Sequence, residues 1–126
     1  MAVTEKMGNN DTTSSAGQAA ENQAVQYLER AGLSMLVRNY RCRGGEIDII
    51  ICRDGKVLVF VEVRLRRHAG FGGAAASITA SKQRRIILAA EHYLARQGWH
   101  QCACRFDCVL LDGQQIEWLR DAFDAT

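Results

Sequence analysis

Residues 46–65 read EIDIIICRDGKVLVFVEVRL, two runs rich in Val and Ile that flank Asp54-Gly55. That pattern is the strongest short-range signal for a β-hairpin. In the second run the odd positions (Val57, Val59, Val61, Val63 and Leu65) are all apolar, whereas Glu62, Arg64 and Arg66 fall on even positions. Alternate residues of a strand point to opposite faces, so the acidic and basic side chains share one face near its end.

Working outward, Leu33 to Arg43 alternates loosely and reads as a strand that Gly44-Gly45 breaks before the hairpin. Before it, Ser15-Ala-Gly-Gln18 fits a capping box, which opens a helix ending near Gly32. Its apolar stripe is Ala20, Ala24, Tyr27, Leu28 and Ala31, and Glu21 lies at the edge of that stripe. Residues 1–14 are small and polar without periodicity, and we expect a disordered tail there. After the hairpin come a glycine-rich loop (Gly70, Gly72, Gly73) and a helix from about Thr79 to Gln97, stopped by Gly98. Two strands follow, Gln101 to Leu111 and Gln115 to Leu119, around Asp112-Gly113. The order is αβββαββ, an α/β domain over residues 15–126 with a mixed central sheet flanked by helices.

The chain has 126 residues, so one domain is expected. No run of about 18 apolar residues would cross a membrane. The N-terminus shows no basic-then-apolar secretory pattern, and the five cysteines are an odd number, so we expect reduced thiols and a cytoplasmic location. The net charge of +2 hides a strong asymmetry, because eleven Lys/Arg and only four Asp/Glu lie between Arg38 and Arg85. A basic segment inside an otherwise acidic chain points to a polyanion-binding face.

Three of those four acids (Glu46, Asp48 and Glu62) surround the hairpin. Neighbouring carboxylates repel one another and lose hydration on burial; a hard divalent cation such as Mg²⁺ or Mn²⁺ offsets both costs. Whether they meet depends on register. A strict two-residue loop sets Arg53 opposite Lys56 and Asp48 opposite Val61, on the wrong face for Glu62. A three-residue loop with Gly55 in the left-handed region, or one bulge, sets Asp48 opposite Glu62. Metal binding by Asp48 and Glu62 requires the second register. The alternative is a solvated face on which the acids pair with arginines.

Asp48, a hairpin and then Glu62-x-Arg64 in αβββαβ order resembles the PD-(D/E)XK, or restriction-endonuclease-like, nuclease fold. The segments GQAAENQAVQYLERAG, RNYRCRGGEIDII, LVFVEVRLR, FGGAAASITASKQRRI and CRFDCVLL resemble the YraN-type bacterial family, predicted nucleases related to archaeal Holliday-junction resolvases. The resemblance spans residues 16–124. It implies Asp48 and Glu62 as ligands of Mg²⁺ or Mn²⁺ and Glu21 as the first-helix acid of the resolvase branch. Arg64 stands at the motif's lysine, and Ile47 replaces its proline. Arginine stays protonated and so cannot take a proton, although it can orient water or stabilise phosphate charge. The implied activity is metal-dependent cleavage of DNA, branched or junction DNA in particular, with a homodimer as a compatible assembly. The alternative is a binding module that grips nucleic acid without cutting. A protein–protein adaptor working through acidic termini is a third class, and it predicts no salt-dependent nucleic-acid binding.

For the nucleic-acid grip we single out Arg41, Arg43, Arg66, Arg67, Lys82, Arg84 and Arg85. The last three open a helix, against its dipole, which makes sense where a phosphate sits; solvated charge is the competing reading. Glu46 reads as a surface charge rather than a third ligand. His100, Cys102, Cys104 and Cys108 share one strand parity, but Cys102 and Cys108 would stand roughly 20 Å apart along a strand, too far for one zinc ion. We read these cysteines as buried core thiols, and Asp107 as the ion-pair partner of Arg105. His68 and His92 carry no separate signal.

Overall fold

A computed structural model describes residues 12–53, 55–65, 78–99, 101–112 and 115–125, with side chains from Ala16 onward. The elements are α1 (Thr12–Arg30), β1 (Leu33–Cys42), β2 (Gly45–Arg53), β3 (Val57–Leu65), α2 (Ala80–Gln97), β4 (Ala103–Leu111) and β5 (Ile116–Phe123). This is the αβββαββ order expected from the sequence. The five strands lie in chain order in one mixed sheet, with β3 and β4 parallel across the α2 crossover and the other neighbours antiparallel.

The sheet is covered on both faces. Ala20, Ala24, Val25 and Leu28 of α1 pack on Ile49, Ile51, Val59, Val61, Val109 and Leu111. Ile86, Ala89, Ala90 and Tyr93 of α2 pack on Ile47, Ile50, Leu58, Phe60 and Phe106. Two-sided burial explains why residues 57–61 (VLVFV) are continuously apolar rather than alternating, as parallel pairing demands. Each fully buried Ile, Val or Leu contributes roughly 1.5–3 kcal/mol.

Four expectations need correction. The helix starts at Thr12, not at the Ser15 capping box, so Thr12–Ser14 are helical rather than tail. Thr and Ser cost only about half a kcal/mol each inside a helix, and no Pro or Gly stops the extra turn. The buried stripe of α1 uses Val25, while Tyr27 is 37% exposed and Ala31 lies outside the helix. Of the cysteines expected in the core only Cys108 is buried, because β4 begins at Ala103 and its first residues lie beyond the helical cover; Cys104 is exposed and Cys102 half-buried. The last strand also runs on to Phe123, past Leu119. Residues 1–11, Asp54, Arg66, Arg67, His68, the Gly70–Gly73 loop and His100 lie outside the described residues.

Two features of this frame position acidic side chains. Arg53 pairs with Val57, leaving three residues between the strands, and Gly55 adopts φ 67°, the left-handed conformation glycine accepts most readily. The three-residue loop is therefore the one formed. At the start of β2, a Cβ on Gly45 would stand 2.4 Å from the Arg85 carbonyl oxygen and 3.0 Å from the Ala89 nitrogen. Only glycine allows the first turns of α2 to lie this close to the sheet. No helix is long and apolar enough to cross a membrane among the described residues.

Candidate active site: an acidic fork between two strands

The register of β2 and β3 runs from Arg53–Val57 to Ile49–Val61, so the next facing residues are Asp48 and Glu62. The ladder opens there. The Val63 N–H donates to Asp48 Oδ2 at 2.8 Å, a side-chain carboxylate standing where a backbone carbonyl would close a regular ladder.

A change of face in β1 and β2 turns Asp48 this way. Arg38, opposite Ile49, reaches Glu21 on the α1 side, whereas Tyr40, opposite Ile47, packs on the α2 side. Residues two apart on a regular strand share a face. The alternation breaks at Asn39, whose φ is 54°, a conformation Asn tolerates better than most side chains. Asp48 lies across from it at the same point. Its carboxyl group therefore has α1 on one side and α2 on the other.

From the α1 side comes Glu21, half-buried, with Oε1 accepting from Arg38 Nη2 at 3.2 Å and a further hydrogen bond from Asn39. Arg38 Nη1 donates to Asn22 at 2.7 Å, while its Nε is buried without a hydrogen-bond partner. From the sheet comes Glu62, 4% exposed, continuing the α2 face of Leu58 and Phe60. From the α2 side comes Lys82, whose Nζ lies 3.4 Å from Glu62 Oε2 and 3.7 Å from Glu46 Oε2. Arg64 Nη1 is 3.6 Å from the same Glu62 oxygen, and Arg41 Nε is 3.8 Å from Glu46 Oε1.

The electrostatics follow from this crowding. Burial, and then the charge of Asp48, push the Glu62 carboxyl up to about 7, despite the opposing charges of Lys82 and Arg64. Asp48 is raised too, by burial first, against the Val63 hydrogen bond that favours its ionised form. The two carboxyl groups act on each other, and of the two it is Glu62 that this contact pushes toward the protonated form. Burial followed by the Asp48 charge raises Glu21, and the Arg38 pair opposes the rise.

These residues fit a hard divalent cation by the chemistry of their donors. Burial and the charge of the neighbour hold both carboxyl groups above their ordinary range, and a cation between them would offset both costs. Among the described residues no set of three or more His, Cys, Asp or Glu side chains is grouped to hold a metal ion. Protein ligation would therefore come from Asp48 and Glu62, with water completing the shell, the usual condition of Mg²⁺.

The structure thus brings together Glu21, Asp48, Glu62 and Arg64, all singled out from the sequence. Lys82, expected beside a phosphate together with Arg84 and Arg85, here turns toward Glu46 and Glu62. Glu46 is nearer the site than a surface charge would be, through that same lysine. Arg41 at the end of β1, Arg43 in the β1–β2 turn, and Arg84 and Arg85 near the start of α2 are exposed, and Gly45 lets these two regions lie close together. Arg38 and Asn39 escaped the sequence reading; the signal available was Asn in a strand beside a charged residue otherwise destined for a covered face. Asp107 is fully buried and paired with Arg105 at 2.9 Å, as expected. His92 Nδ1 and the Tyr40 hydroxyl share a hydrogen bond of 2.6 Å.

Comparison with known proteins places the fork within a widely matched sequence. The profile of "Uncharacterised protein family UPF0102" matches residues 20–111, which include Glu21, Glu46, Asp48, Glu62, Arg64 and Lys82. A UPF0102 protein of Dechloromonas aromatica (strain RCB) is 62% identical over 116 residues, covering 92% of this chain and 94% of the relative. One from Ralstonia pickettii (strain 12J) is 54% identical over 114 residues, covering 88% and 91%. Another, from Methylobacillus flagellatus, is 54% identical over 112 residues, covering 86% and 96%. From the middle of α1 to the end of β4, and across nearly the whole of these relatives, the chain belongs to the UPF0102 family.

Proposed function

We propose that this protein is a cytoplasmic, divalent-metal-dependent endonuclease that hydrolyses phosphodiester bonds of DNA. The observation that carries the reading is the meeting of Asp48 and Glu62 at the open end of the β2–β3 ladder, with the Glu62 carboxyl pushed up to about 7. An acid strongly shifted by burial and by a specific charged neighbour is a candidate for a functional site.

Asp48 and Glu62 would hold Mg²⁺ or Mn²⁺, which when bound withdraws electron density from a phosphodiester and acidifies water. The chain's own residues supply the rest. The Val63 amide fixes Asp48 Oδ2, leaving the remaining lone pairs for ligation. Glu21, held by Arg38, adds negative charge on the α1 side and so favours retention of a cation at Asp48. Arg64, partly exposed beside Glu62, presents a permanent positive charge to a phosphate oxygen. Arg41, Arg43, Arg84 and Arg85 offer exposed contacts to the flanking phosphates. The resemblance of the Asp48 and Glu62-x-Arg64 pattern to resolvase-type nucleases favours branched or junction DNA as substrate and a homodimer as the assembly that would span it.

A second reading has one observation in its favour. Arg64 occupies the lysine position of the motif and is incapable of proton transfer, which fits a module that binds nucleic acid without cutting.

The test is cleavage of labelled junction, flap, single-stranded and duplex DNA in Mg²⁺ and in Mn²⁺. We expect metal-dependent cutting that falls about a hundredfold or more in Asp48→Ala and in Glu62→Ala. Cutting that persists in both variants would overturn the assignment of the site. Tight, salt-sensitive binding without turnover would select the second reading.

A further inference from the structure

Lys82 sits where a lysine is locally disfavoured. Thr79 caps α2, its hydroxyl accepting from the Lys82 amide at 3.1 Å, so Lys82 lies in the first turn, at the positive end of the helix dipole. The first turn of α2 contains no acid to compensate. Compensation comes from the sheet, because Gly45 lets α2 settle against β2 and brings the ammonium within 3.4 Å of Glu62 and 3.7 Å of Glu46. Two and three residues further on, Arg84 and Arg85 stay exposed, while the Lys82 side chain is only 24% exposed.

The contacts have a particular character. Lys82 stands between two acids at distances longer than an optimal charged hydrogen bond, whereas Arg105 grips Asp107 with two bonds of 2.9 Å. A point charge on a flexible four-carbon stem can be held this way and still leave.

Resting on the nuclease reading above, we propose that Lys82 is the site's own counter-ion. It occupies the Glu46–Glu62 side of the fork until a divalent cation binds there, and then turns to a phosphate of the DNA. A divalent ion on Asp48 and Glu62 supplies more charge than the ammonium and repels it at short range. The displaced ammonium remains in the first turn of α2, whose amides and dipole already favour a phosphate. Lys82 thus opposes metal binding in the absence of DNA and supports DNA binding once metal is present.

This coupling predicts effects of opposite sign from one substitution. In the full chain without DNA, Lys82→Met should bind Mn²⁺ roughly tenfold more tightly, a size between exposed and buried ion pairs. DNA affinity is then measured against salt, at times short relative to cutting. With Mn²⁺ the salt slope of Lys82→Met should be shallower than wild type by about one phosphate contact; with chelator the slopes should coincide. Lys82→Arg keeps the charge and should stay within about twofold of wild type for Mn²⁺. Mn²⁺ affinity that is unchanged or weaker in Lys82→Met, or equal salt slopes with Mn²⁺, would overturn the proposal. Lys82→Gln serves the same test if thermal melting shows the methionine variant unfolded. Glu62→Ala separates the two readings. If it binds Mn²⁺ as wild type does, the metal site itself is wrong. If it loses Mn²⁺ while Lys82→Met gains nothing, only the counter-ion role fails.

Discussion

Strands β3 and β4 each carry one buried acid, Glu62 at 4% exposure and its near neighbour Asp107 at 0%, and the two have been given opposite surroundings. Asp107 accepts from Arg105 Nε and Nη2 at 2.9 Å each, from Trp118 Nε1 at 2.8 Å and from the Asp121 amide at 2.8 Å. Both of its oxygens are satisfied, and the Asp121 amide it holds belongs to a residue at φ 55° in β5. Glu62 faces another carboxyl group, and its cations stand at 3.4 and 3.6 Å. A buried acid with a full set of donors ties a fold together. One left short of donors and pressed against a like charge is unfinished without a proton or a cation, and that is the mark of a site.

The sharpest way to break this comparison is stability. Asp107→Ala leaves a guanidinium, an indole N–H and a backbone amide without their acceptor, and should cost about 3–5 kcal/mol in urea denaturation. That is a large share of the roughly 5–15 kcal/mol holding a typical domain together. A loss below about 1 kcal/mol would show that Asp107 is no more structural than Glu62.

Glu62→Gln should act in the other direction. The folded carboxyl titrates at about 7 against 4.5 in the unfolded chain, so between those values the native state holds a proton that the unfolded state releases. Wild-type stability must therefore fall as pH rises from 4.5 to 7 on this group's account. Glutamine keeps the shape without the ionisation. The variant should match wild type near pH 4.5 and exceed it by about 2 kcal/mol at pH 8, as chelated samples in parallel melts would show. A variant less stable than wild type at pH 8 would mean that Lys82 and Arg64 satisfy Glu62 after all.

How much of this was legible in the residues divides along the same line. The hairpin, its two candidate registers and the acids on it could be read from alternation and from Asp54-Gly55, because strand periodicity is local. The choice of register needed the backbone of Gly55, since two- and three-residue loops fit the same letters. The face change at Asn39, which turns Asp48 into the fork, leaves one positive φ and no pattern in hydrophobicity. The letters place Lys82 beside a phosphate with Arg84 and Arg85, and its turn toward Glu46 and Glu62 depends on how closely α2 approaches Gly45, a tertiary fact. Parity puts the cysteines in the core, yet it says nothing about where a strand begins or how far a helix covers it. The pairing of Arg105 with Asp107 was visible; that β5 would supply two further donors was not.

Glu21 lies between the two extremes and supplies the finest test. Like Asp107 it has an arginine, Arg38, with Nη2 at 3.2 Å; like Glu62 it is raised by burial and by the charge of Asp48. Glu21→Gln removes both the favourable pair and the repulsion, so the net change at pH 8 should stay within about 1 kcal/mol of zero. Its pH dependence should carry the sign seen for Glu62, because a raised carboxyl again lets the folded state keep protons above the unfolded titration. The advantage of the glutamine variant should thus grow from pH 4 upward, by less than at position 62. A variant whose disadvantage grows with pH instead would show that the Arg38 pair outweighs Asp48, and would move Glu21 from the site to the scaffold.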